Sequence, residues 1–292
     1  MFVIGLDIGT TCVKALILAR DGRIAASGSR ELKLFSNGCH MEQRAEDWME
    51  AATAAVREAL RGIGGSQVEA ISLSTQGAST VALDRDGKTI GNALTWMDSR
   101  SVEEAAELER KLSNEYIYGA TGWKVNPSLD AAKIMHMKKQ PRYGKASSFL
   151  STLEFMNRFL TGSAVIDPTN AAMRQLYHIG NGCWDSRILE ASGIREQELT
   201  PVLPSGAEVG KLCKNAADLM GLKTGIPVFN GLHDQYCAAV GAGAVHEGDM
   251  LLSAGTAWVL LGVGTKPLKT KSFIAAGKHP VDGLYGSLAS LI

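Results

Sequence analysis

The chain has 292 residues, and its 30 lysines and arginines are balanced by 30 aspartates and glutamates. A formal net charge of zero at pH 7 gives no electrostatic footprint for nucleic acid or for an anionic membrane surface. With 45% hydrophobic and 21% charged residues, the composition is that of a folded protein and excludes a disordered chain. The length predicts roughly two domains.

The cysteines and the apolar segments bear on where the protein works. The five cysteines are scattered without a CxxC pair, which argues against both a disulfide framework and a thiolate zinc site. The N-terminal apolar run contains Asp7 and lacks a basic start, so it does not fit a signal peptide. The longest uncharged run, residues 250–265, is too short to span a bilayer. We therefore expect a cytoplasmic protein that binds neither membranes nor nucleic acid.

The start of the chain predicts a β-meander followed by a helix. Apolar runs at 2–6, 13–18 and 24–27 are separated by two turns, the second of which is the hairpin signal Asp21-Gly22. Residues 46–63 then place apolar side chains on one stripe at helical spacing, with acids in the first turn and glycines at the end. This segment predicts an amphipathic helix.

Strands and helices follow one another along the rest of the chain. The predicted elements are a strand at 68–73, a hairpin around the turn 84–87, helices at 102–112, 129–138, 152–160 and 216–222, a strand at 228–232, a helix at 234–240, and two short strands within 250–261. Strands followed by helices after an opening meander indicate an α/β fold.

A loop of small and polar residues follows the first predicted strand. Gly9 lets the backbone turn sharply and approach a ligand, and the amides and hydroxyls of Thr10 and Thr11 can point at phosphate oxygens. Asp7, at the strand end, could hold Mg²⁺ through water, because Mg²⁺ keeps several of its water ligands. A hairpin turn with polar capping residues explains the same pattern equally well.

Two further features bear on a phosphate site. Lys14 could face phosphates from the next strand, although its spacing favours a solvated edge residue. Gly255 and Thr256 repeat the small, polar pattern after a later strand, and such a pair at a turn is common in itself. Two turns of this kind facing each other could clamp a polyphosphate from two domains.

Asp234 follows an uncharged predicted strand and begins a predicted helix. This position places a carboxylate at the C-terminal edge of a strand, where α/β folds bind ligands. A helix N-terminus favours the ionised carboxylate, which could then accept a proton. An N-cap of the helix accounts for Asp234 equally well. We interpret the neighbouring His233 as a packed or solvated side chain, because no second histidine stands at metal-ligand spacing.

An aromatic residue, an acid and a base follow another strand-like stretch. Stacking on Trp96 with hydrogen bonds from Asp98 and Arg100 suits the recognition of a polyol, and an ion pair between Asp98 and Arg100 at a helix start is an equal alternative. The chain has neither GxxxxGK[ST] nor a GxGxxG after a strand. A P-loop or Rossmann nucleotide site is therefore unsupported.

Together these residues resemble the FGGY family of carbohydrate kinases, which includes xylulokinases and glycerol kinases. The matching pieces, in chain order, are the first phosphate loop (Asp7 to Thr11), the W-x-D-x-R segment (Trp96, Asp98 and Arg100), a central stretch (160–185), the segment with the catalytic aspartate (Gly221 to Gln235) and the second phosphate loop (Gly255 and Thr256). Their order and spacing are more specific than any single piece.

The resemblance implies an actin/Hsp70-like ATPase fold of ribonuclease H-like type, with a mixed sheet and flanking helices. A small-molecule sugar or polyol would bind to a first domain, residues 1–243, and ATP would bridge the cleft to a second domain that begins at 244–292. Asp234 would be the general base, while Mg²⁺ and both phosphate loops would neutralise charge. The resemblance is also compatible with a homodimer.

Two features depart from the family. In its substrate-specificity turn, glycerol kinases carry Arg-Glu and xylulokinases carry Met-His, whereas this chain has Gly77-Ala78 after Gln76. These small residues favour a roomier pocket. Because family members are longer, we also expect an incomplete second domain, strands within 250–261 and 284–292 without sheet partners, and no turnover by this chain alone.

Three functional hypotheses follow from these observations. The first is an ATP-dependent carbohydrate kinase, and the second is a catalytically inactive sugar-binding or regulatory fragment of kinase ancestry. The third is an actin- or Hsp70-like ATPase machine. The W-x-D-x-R segment and the surroundings of Asp234 favour the sugar kinase over the ATPase machine.

Overall fold

The computed structural model describes residues 1–254, 258–268, 270 and 274–291, with Leu291 described by its backbone alone. In this part of the chain the strands are β1 (Phe2–Ile8), β2 (Cys12–Ala19), β3 (Ile24–Glu31), β4 (Phe35–Asn37), β5 (His40–Gln43), β6 (Val68–Thr75), β7 (Thr80–Leu83), β8 (Thr89–Leu94), β9 (Ser148–Ser151), β10 (Tyr177–His178), β11 (Cys183–Trp184), β12 (Glu208–Lys211), β13 (Pro227–His233), β14 (Met250–Ala254), β15 (Trp258–Gly264), β16 (Ile274–Lys278) and β17 (Tyr285–Leu291). The helices are α1 (Ala45–Ala59), α2 (Val102–Leu112), α3 (Asn114–Thr121), α4 (Asp130–Lys139), α5 (Thr152–Thr161), α6 (Pro168–Met173), α7 (Ser186–Ser192), α8 (Lys214–Met220) and α9 (Asp234–Gly241).

A six-stranded mixed sheet, in the order β12-β13-β6-β1-β2-β3, positions the candidate site. The predicted meander is its antiparallel part, β1 to β3, while β6 runs parallel to both β1 and β13. Parallel strands bring their carboxyl ends to one edge of a sheet. Asp7 near the end of β1 and Asp234 just after β13 therefore lie on either side of the end of β6.

Helix α1 covers one face of this sheet with the predicted apolar stripe. Its buried side chains include Trp48, Ala52, Ala55 and Val56. The helix packs closely on β3, since a Cβ atom on Gly28 would lie 2.2 Å from the carbonyl oxygen of Ala55. The helix ends at Ala59, before the predicted Ile63, because the chain turns at Gly62 with a φ of +83°.

A second sheet, in the order β4-β5-β8-β7-β9, contains the predicted hairpin. The turn 84–87 joins β7 to β8, and the amide of Gly87 donates to the carbonyl of Asp84. Helices α2, α4 and α5 begin and end within one residue of their predicted bounds. A separate hydrophobic core beside this sheet includes Leu108 of α2, Ile117 of α3 and Ile134 of α4.

Three short helices, α3, α6 and α7, are absent from the sequence-based prediction. They have six to eight residues, which is too few to display an apolar stripe at helical spacing. Side chains cap all three, with Ser113, Asp167 and Asp185 each accepting a backbone N–H of the first turn. Within the described residues, no helix combines the length and apolar character that a membrane crossing requires.

A third sheet, in the antiparallel order β14-β15-β17-β16, is formed by the last part of the chain. The strands within 250–261 and 284–291 thus pair with each other, and the prediction that they lack partners is wrong. Hydrogen bonds that join this sheet to preceding helices and loops include those from the Ala276 amide to the Gly122 carbonyl at 2.9 Å, from the Tyr118 hydroxyl to the Ile274 carbonyl at 2.9 Å and from the Tyr236 hydroxyl to the Gly286 carbonyl at 3.4 Å. The domain division between residues 243 and 244 stays a prediction.

Candidate active site

Three neighbouring strands place polar side chains in one row near the edge of the six-stranded sheet. Asp7 of β1 pairs in register with Lys14 of β2 and with Ser74 of β6, so the three side chains lie on the same face. The Ser74 hydroxyl donates to Asp7 Oδ1 at 2.7 Å. Lys14 is exposed, but β2 lies between β1 and β3, so the interpretation of Lys14 as an edge residue is wrong.

The carboxyl group of Asp7 is more difficult to ionise than an ordinary aspartate. Burial is the main cause of its raised pKa, and the charge of Asp234 raises the pKa further. The hydrogen bond from Ser74 and the charge of Lys14 act in the opposite direction, although the net shift is upward. Asp234 therefore lies near enough to Asp7 for the two charges to interact.

Asp234 is the first residue of α9 and follows β13 directly. His233 occupies the N-cap position and no side chain caps this helix, so the structure does not support Asp234 as an N-cap. Oδ1 of Asp234 lies 3.1 Å from Nε2 of His233, and the Asp234 side chain is 34% exposed. A partly exposed carboxylate held by one neighbour can still reach a ligand.

Close packing fixes the backbone that leads to Asp234. A Cβ atom on Gly231 would lie 2.2 Å from the carbonyl oxygen of Leu73, so only glycine allows this approach of β13 to β6. The amide of His233 donates to Thr169 Oγ1 at 2.9 Å, and the His233 ring is packed, as the sequence predicted. Nδ1 of this ring is buried without a hydrogen-bond partner among the described residues.

The predicted phosphate loop is a tight connection between β1 and β2. The amide of Gly9 donates to the carbonyl of Cys12 at 3.2 Å, and a Cβ atom on Gly9 would lie 3.1 Å from that oxygen. The Thr10 hydroxyl donates to Gln76 Oε1 at 2.9 Å and is therefore engaged within the protein. The Thr11 side chain is exposed. Contact between this loop and phosphate stays a prediction.

Gln43, which the sequence analysis did not single out, connects this loop to the turn after β6. Its Nε2 donates to the Thr10 carbonyl at 2.7 Å, while its Oε1 accepts from Gln76 Nε2 at 2.9 Å and from Trp48 Nε1 at 3.1 Å. Both Gln43 and Gln76 are almost completely buried. No sequence pattern marks Gln43, because the two segments that it connects, at Thr10 and Gln76, are each 33 residues away in the chain.

Gly77 and Ala78 do not leave spare room beside their turn. A Cβ atom on Gly77 would lie 2.1 Å from Sδ of Met173 and 2.8 Å from Cδ2 of His233. Ala78 is buried with a φ of +46° and packs with Leu129 and Met173. The expectation of a roomier pocket is wrong at this turn, because neighbouring side chains already occupy the space.

Trp96 is the member of the W-x-D-x-R segment with a surface open to solvent. The residue is 37% exposed, and its Nε1 donates to Thr10 Oγ1 at 2.8 Å. The indole is therefore anchored at its nitrogen beside the loop after β1. An anchored aromatic ring of this kind can offer an apolar face to a ligand.

Asp98 and Arg100 form a buried ion pair. Nη2 of Arg100 lies 2.6 Å from Oδ2 of Asp98 and 2.7 Å from Oε1 of Glu42. Oδ2 of Asp98 also accepts from the Met41 amide at 2.8 Å. The two side chains thus form the ion pair that the sequence analysis gave as an alternative. Their contacts with Glu42 and Met41 join β5 to the segment after β8. Direct contact of either side chain with a polyol stays a prediction.

Lys133 of α4 is a second residue that the sequence analysis did not single out. Its side chain is fully buried, and Nζ donates to the Ala78 carbonyl at 2.7 Å and to the Thr95 carbonyl at 2.6 Å. Burial lowers the pKa of Lys133 to about 8, against the opposing influence of Asp130 and Asp98. The position of Lys133 between Ala132 and Ile134 in a predicted helix was the available signal.

Comparison with known proteins decides the family. The model for the N-terminal domain of the FGGY family of carbohydrate kinases matches residues 2–241. The chain belongs to the FGGY family of carbohydrate kinases. The resemblance inferred from the motifs is thereby confirmed.

Curated relatives within the FGGY family are named as kinases of sugars or polyols. The glycerol kinase of Xanthobacter autotrophicus is 32% identical over 283 residues, which cover 92% of this chain and 56% of that protein. The xylulose kinase of Bacillus subtilis is 28% identical over 265 residues, which cover 89% of this chain and 53% of that protein. The chain therefore spans just over half the length of these relatives.

Solved structures confirm the expected fold class. The xylulose kinase from Rhodospirillum rubrum superposes with a TM-score of 0.95 at 26% identity, covering 100% of this chain and 61% of that one. The glycerol kinase from Plasmodium falciparum, solved with ADP, superposes with a TM-score of 0.90 at 20% identity, covering 99% of this chain and 61% of that one. Both are FGGY carbohydrate kinases with the actin/Hsp70-like ATPase fold.

The second phosphate loop expected from the FGGY resemblance falls on Gly255 and Thr256, which lie outside the described residues. The strands on either side are described. Strand β14 ends at Ala254, and β15 begins at Trp258. A role for Gly255 and Thr256 therefore stays a prediction.

The arrangement of carboxylates fits a hydrated cation better than a protein-enclosed metal. Among the residues that the structure describes, no three His, Cys, Asp or Glu side chains gather as a metal site. Mg²⁺ is commonly held by one or two carboxylates together with water and substrate phosphates. A role for Asp7 in holding Mg²⁺ through water stays a prediction.

Proposed function

We propose that the protein transfers the γ-phosphoryl group of ATP to a hydroxyl group of a small sugar or polyol, with Asp234 as the general base. The observation that carries this proposal is the position of Asp7 and Asp234 at one sheet edge, where the charge of Asp234 raises the pKa of Asp7. The relatives named as xylulose kinase, glycerol kinase and gluconokinase support the class of acceptor.

The two carboxylates have different roles in this proposal. The carboxylate of Asp234 takes the proton of the attacking hydroxyl, whose oxygen bonds to the γ-phosphorus as the bond to the bridging oxygen breaks and ADP leaves. His233 orients this carboxylate through its contact at 3.1 Å. Asp7 would hold the nucleotide's Mg²⁺ through water, and Lys14 would face the phosphates from the adjacent strand. Bound Mg²⁺ would supply neutralisation of the phosphate charge.

The remaining predicted site residues form two groups. The loop of Gly9, Thr10 and Thr11 would present amides to the phosphates from one side, with Gly255 and Thr256 on the other. Trp96 would stack on the acceptor through its exposed ring. The residues that would hold the shape of the acceptor pocket are Gln76, Gly77, Ala78, Asp98 and Arg100.

Kinetics of an Asp234→Asn variant test the proposal. Asparagine keeps the size of the side chain but cannot accept the hydroxyl proton, so kcat should fall by about 10²- to 10⁴-fold. The KM for the acceptor should change far less, because the residue acts mainly in the transition state. ADP release by the full-length protein, measured with xylulose, glycerol and gluconate, provides the assay.

Asp218→Asn is the matched control, since Asp218 is an exposed carboxylate on α8 that pairs with Lys214. This variant should retain the kcat of the parent protein. An Asp234→Asn variant with unchanged kcat on its substrate would remove Asp234 from the role of base. ATP hydrolysis that no sugar or polyol stimulates would instead favour an ATPase machine.

A further inference from the structure

Lys133 joins two segments that the proposed function assigns to the acceptor pocket. The ammonium group lies inside the protein, and both of its hydrogen bonds go to main-chain carbonyl oxygens, those of Ala78 and Thr95. Ala78 ends the turn that follows β6, and Thr95 immediately precedes Trp96. One side chain thus contacts the backbone of both segments.

The two carbonyls lie where the strands β7 and β8 separate. Thr80 and Leu94 are the last cross-strand partners at this end of the hairpin. Beyond them, the chain on one side leads back to Ala78 and on the other leads forward to Thr95. Lys133 therefore bridges the two backbone segments at a point where the ladder of the sheet no longer holds them together.

A second connection joins the same two segments through side chains. Trp96 Nε1 donates to Thr10 Oγ1 at 2.8 Å, and Thr10 Oγ1 donates to Gln76 Oε1 at 2.9 Å. The turn and the indole are therefore linked both through Thr10 and through the contacts of Lys133 with the backbone. The position of the Trp96 ring depends on both connections.

We propose that Lys133 is a positioning residue that sets the separation between the turn 76–78 and Trp96, and with it the shape of the acceptor pocket. This inference rests on the proposed function. A long, flexible side chain with a charged donor can satisfy two carbonyls that diverge from a hairpin, since charge-assisted hydrogen bonds are strong in a buried environment.

The energetic cost of burying Lys133 supports a role beyond filling the core. Burial lowers the pKa of this amine to about 8, which shows how poorly the interior solvates its charge. A buried ammonium group costs stability unless hydrogen bonds and nearby opposite charges compensate it. An ammonium group retained here, directed at two backbone carbonyls, is better explained by the geometry that it specifies.

Lys133→Met tests the inference, because methionine keeps most of the length of the side chain and removes the donors. In the full-length protein, kcat/KM for the acceptor should fall by about 10- to 100-fold, as expected for a small misplacement of a pocket. The KM for ATP should remain near its parental value. Lys139→Met is the control, since Lys139 lies on the same helix with a half-exposed side chain and should leave both parameters unchanged.

A spectroscopic measurement tests the same inference without any substrate. Labelling with 5-fluorotryptophan gives a ¹⁹F signal for each tryptophan, and Trp96→Phe assigns the signal of Trp96. Lys133→Met should shift or broaden this signal while leaving that of Trp184, which packs against Tyr177, in place. Lys133→Gln, which keeps a shorter donor, should give an intermediate change.

The possible results separate this inference from the proposed function. A folded Lys133→Met variant with parental kcat/KM and an unmoved Trp96 signal would overturn the positioning role and leave the kinase proposal intact. A moved signal in a protein that phosphorylates no sugar or polyol would refute the kinase proposal alone. Unfolding of both the methionine and the glutamine variants would assign Lys133 to global stability and would also overturn the inference.

Discussion

The ionised carboxylate of Asp7 is less favourable in the folded chain than in the unfolded chain. Burial and the charge of Asp234 raise the pKa of its carboxyl group by more than Ser74 and Lys14 lower it. A raised carboxyl pKa means that the folded state binds this proton more tightly than the unfolded state does. Stability therefore decreases as the pH rises through the folded-state pKa of Asp7. A perturbed carboxyl group of this kind is typical of a functional site.

Asp7→Asn should therefore stabilise the fold while weakening nucleotide binding. At pH 7 we expect the free energy of unfolding to rise by about 0.5–2 kcal/mol, because asparagine keeps an acceptor for Ser74 without the charge. The gain should shrink as the pH falls toward 3.8, the ordinary value, since Asp7 is then protonated. Urea unfolding at several pH values measures the gain, and titration with MgATP measures the loss of affinity.

Asp86→Asn is the control for this prediction, because Asp86 is an exposed carboxylate in the turn between β7 and β8. It should change neither stability nor MgATP affinity appreciably. If Asp7→Asn lowered stability at pH 7 and bound MgATP as tightly as the parent, Asp7 would be a structural carboxylate.

At the scale of secondary structure, the site depends on how closely β13 approaches β6. Gly231→Ala would place a Cβ atom 2.2 Å from the Leu73 carbonyl oxygen, so one strand must move. We expect the free energy of unfolding to fall by about 1–3 kcal/mol, as in other overpacked positions. We also expect kcat to fall, because Asp234 lies just beyond the displaced strand. Chemical denaturation and steady-state kinetics measure the two effects.

Gly5→Ala provides a comparison within the same sheet. Among the described residues, no heavy atom lies within 4 Å of the position that its Cβ would take, apart from those of Gly5 and its chain neighbours. This variant should cost far less stability and leave kcat unchanged. Equal effects of the two substitutions would show that the approach of β13 to β6 does not control the position of Asp234.

The sequence predicts those elements whose pattern is local. The meander, helix α1 and the hairpin of β7 and β8 each carry a repeating apolar pattern or a turn signal that needs no distant partner. The short helices α3, α6 and α7 depend on caps and on packing, so their sequences show no period. The way in which the four strands β14, β15, β16 and β17 pair could not be predicted, since nothing in the sequence of a single strand identifies its partner.

The residues of the candidate site also fall into two groups, those that the sequence identifies and those that only the fold reveals. Asp7 and Asp234 were identifiable because each follows an apolar run of the sequence, and the positions of both carboxylates follow from the order of the parallel strands. The roles of Gln43 and Lys133 depend on residues far away in the chain, such as Gln76 for Gln43 and Ala78 for Lys133. Contacts of this kind become visible only after the chain has folded.

At the scale of the whole molecule, the third sheet leaves an apolar face open to solvent. Met250, Leu252 and Trp258 are 64%, 54% and 49% exposed. Alternate residues of β14 point the same way, and Trp258 pairs in register with Ala254, so these side chains share one face. Strand β14 is also at the edge of its sheet. An exposed apolar face beside an edge strand favours association.

We therefore expect the chain of 292 residues to self-associate through this face. Leu252→Lys places a charge in the middle of the face and should weaken association by about tenfold or more, equivalent to about 1.4 kcal/mol. Leu219→Lys is the control, because Leu219 is 43% exposed on α8 and not part of this sheet. Sedimentation velocity over a range of concentrations measures the equilibrium. A parent chain that sediments as a monomer throughout, or an equal effect of Leu219→Lys, would show that this face does not mediate association.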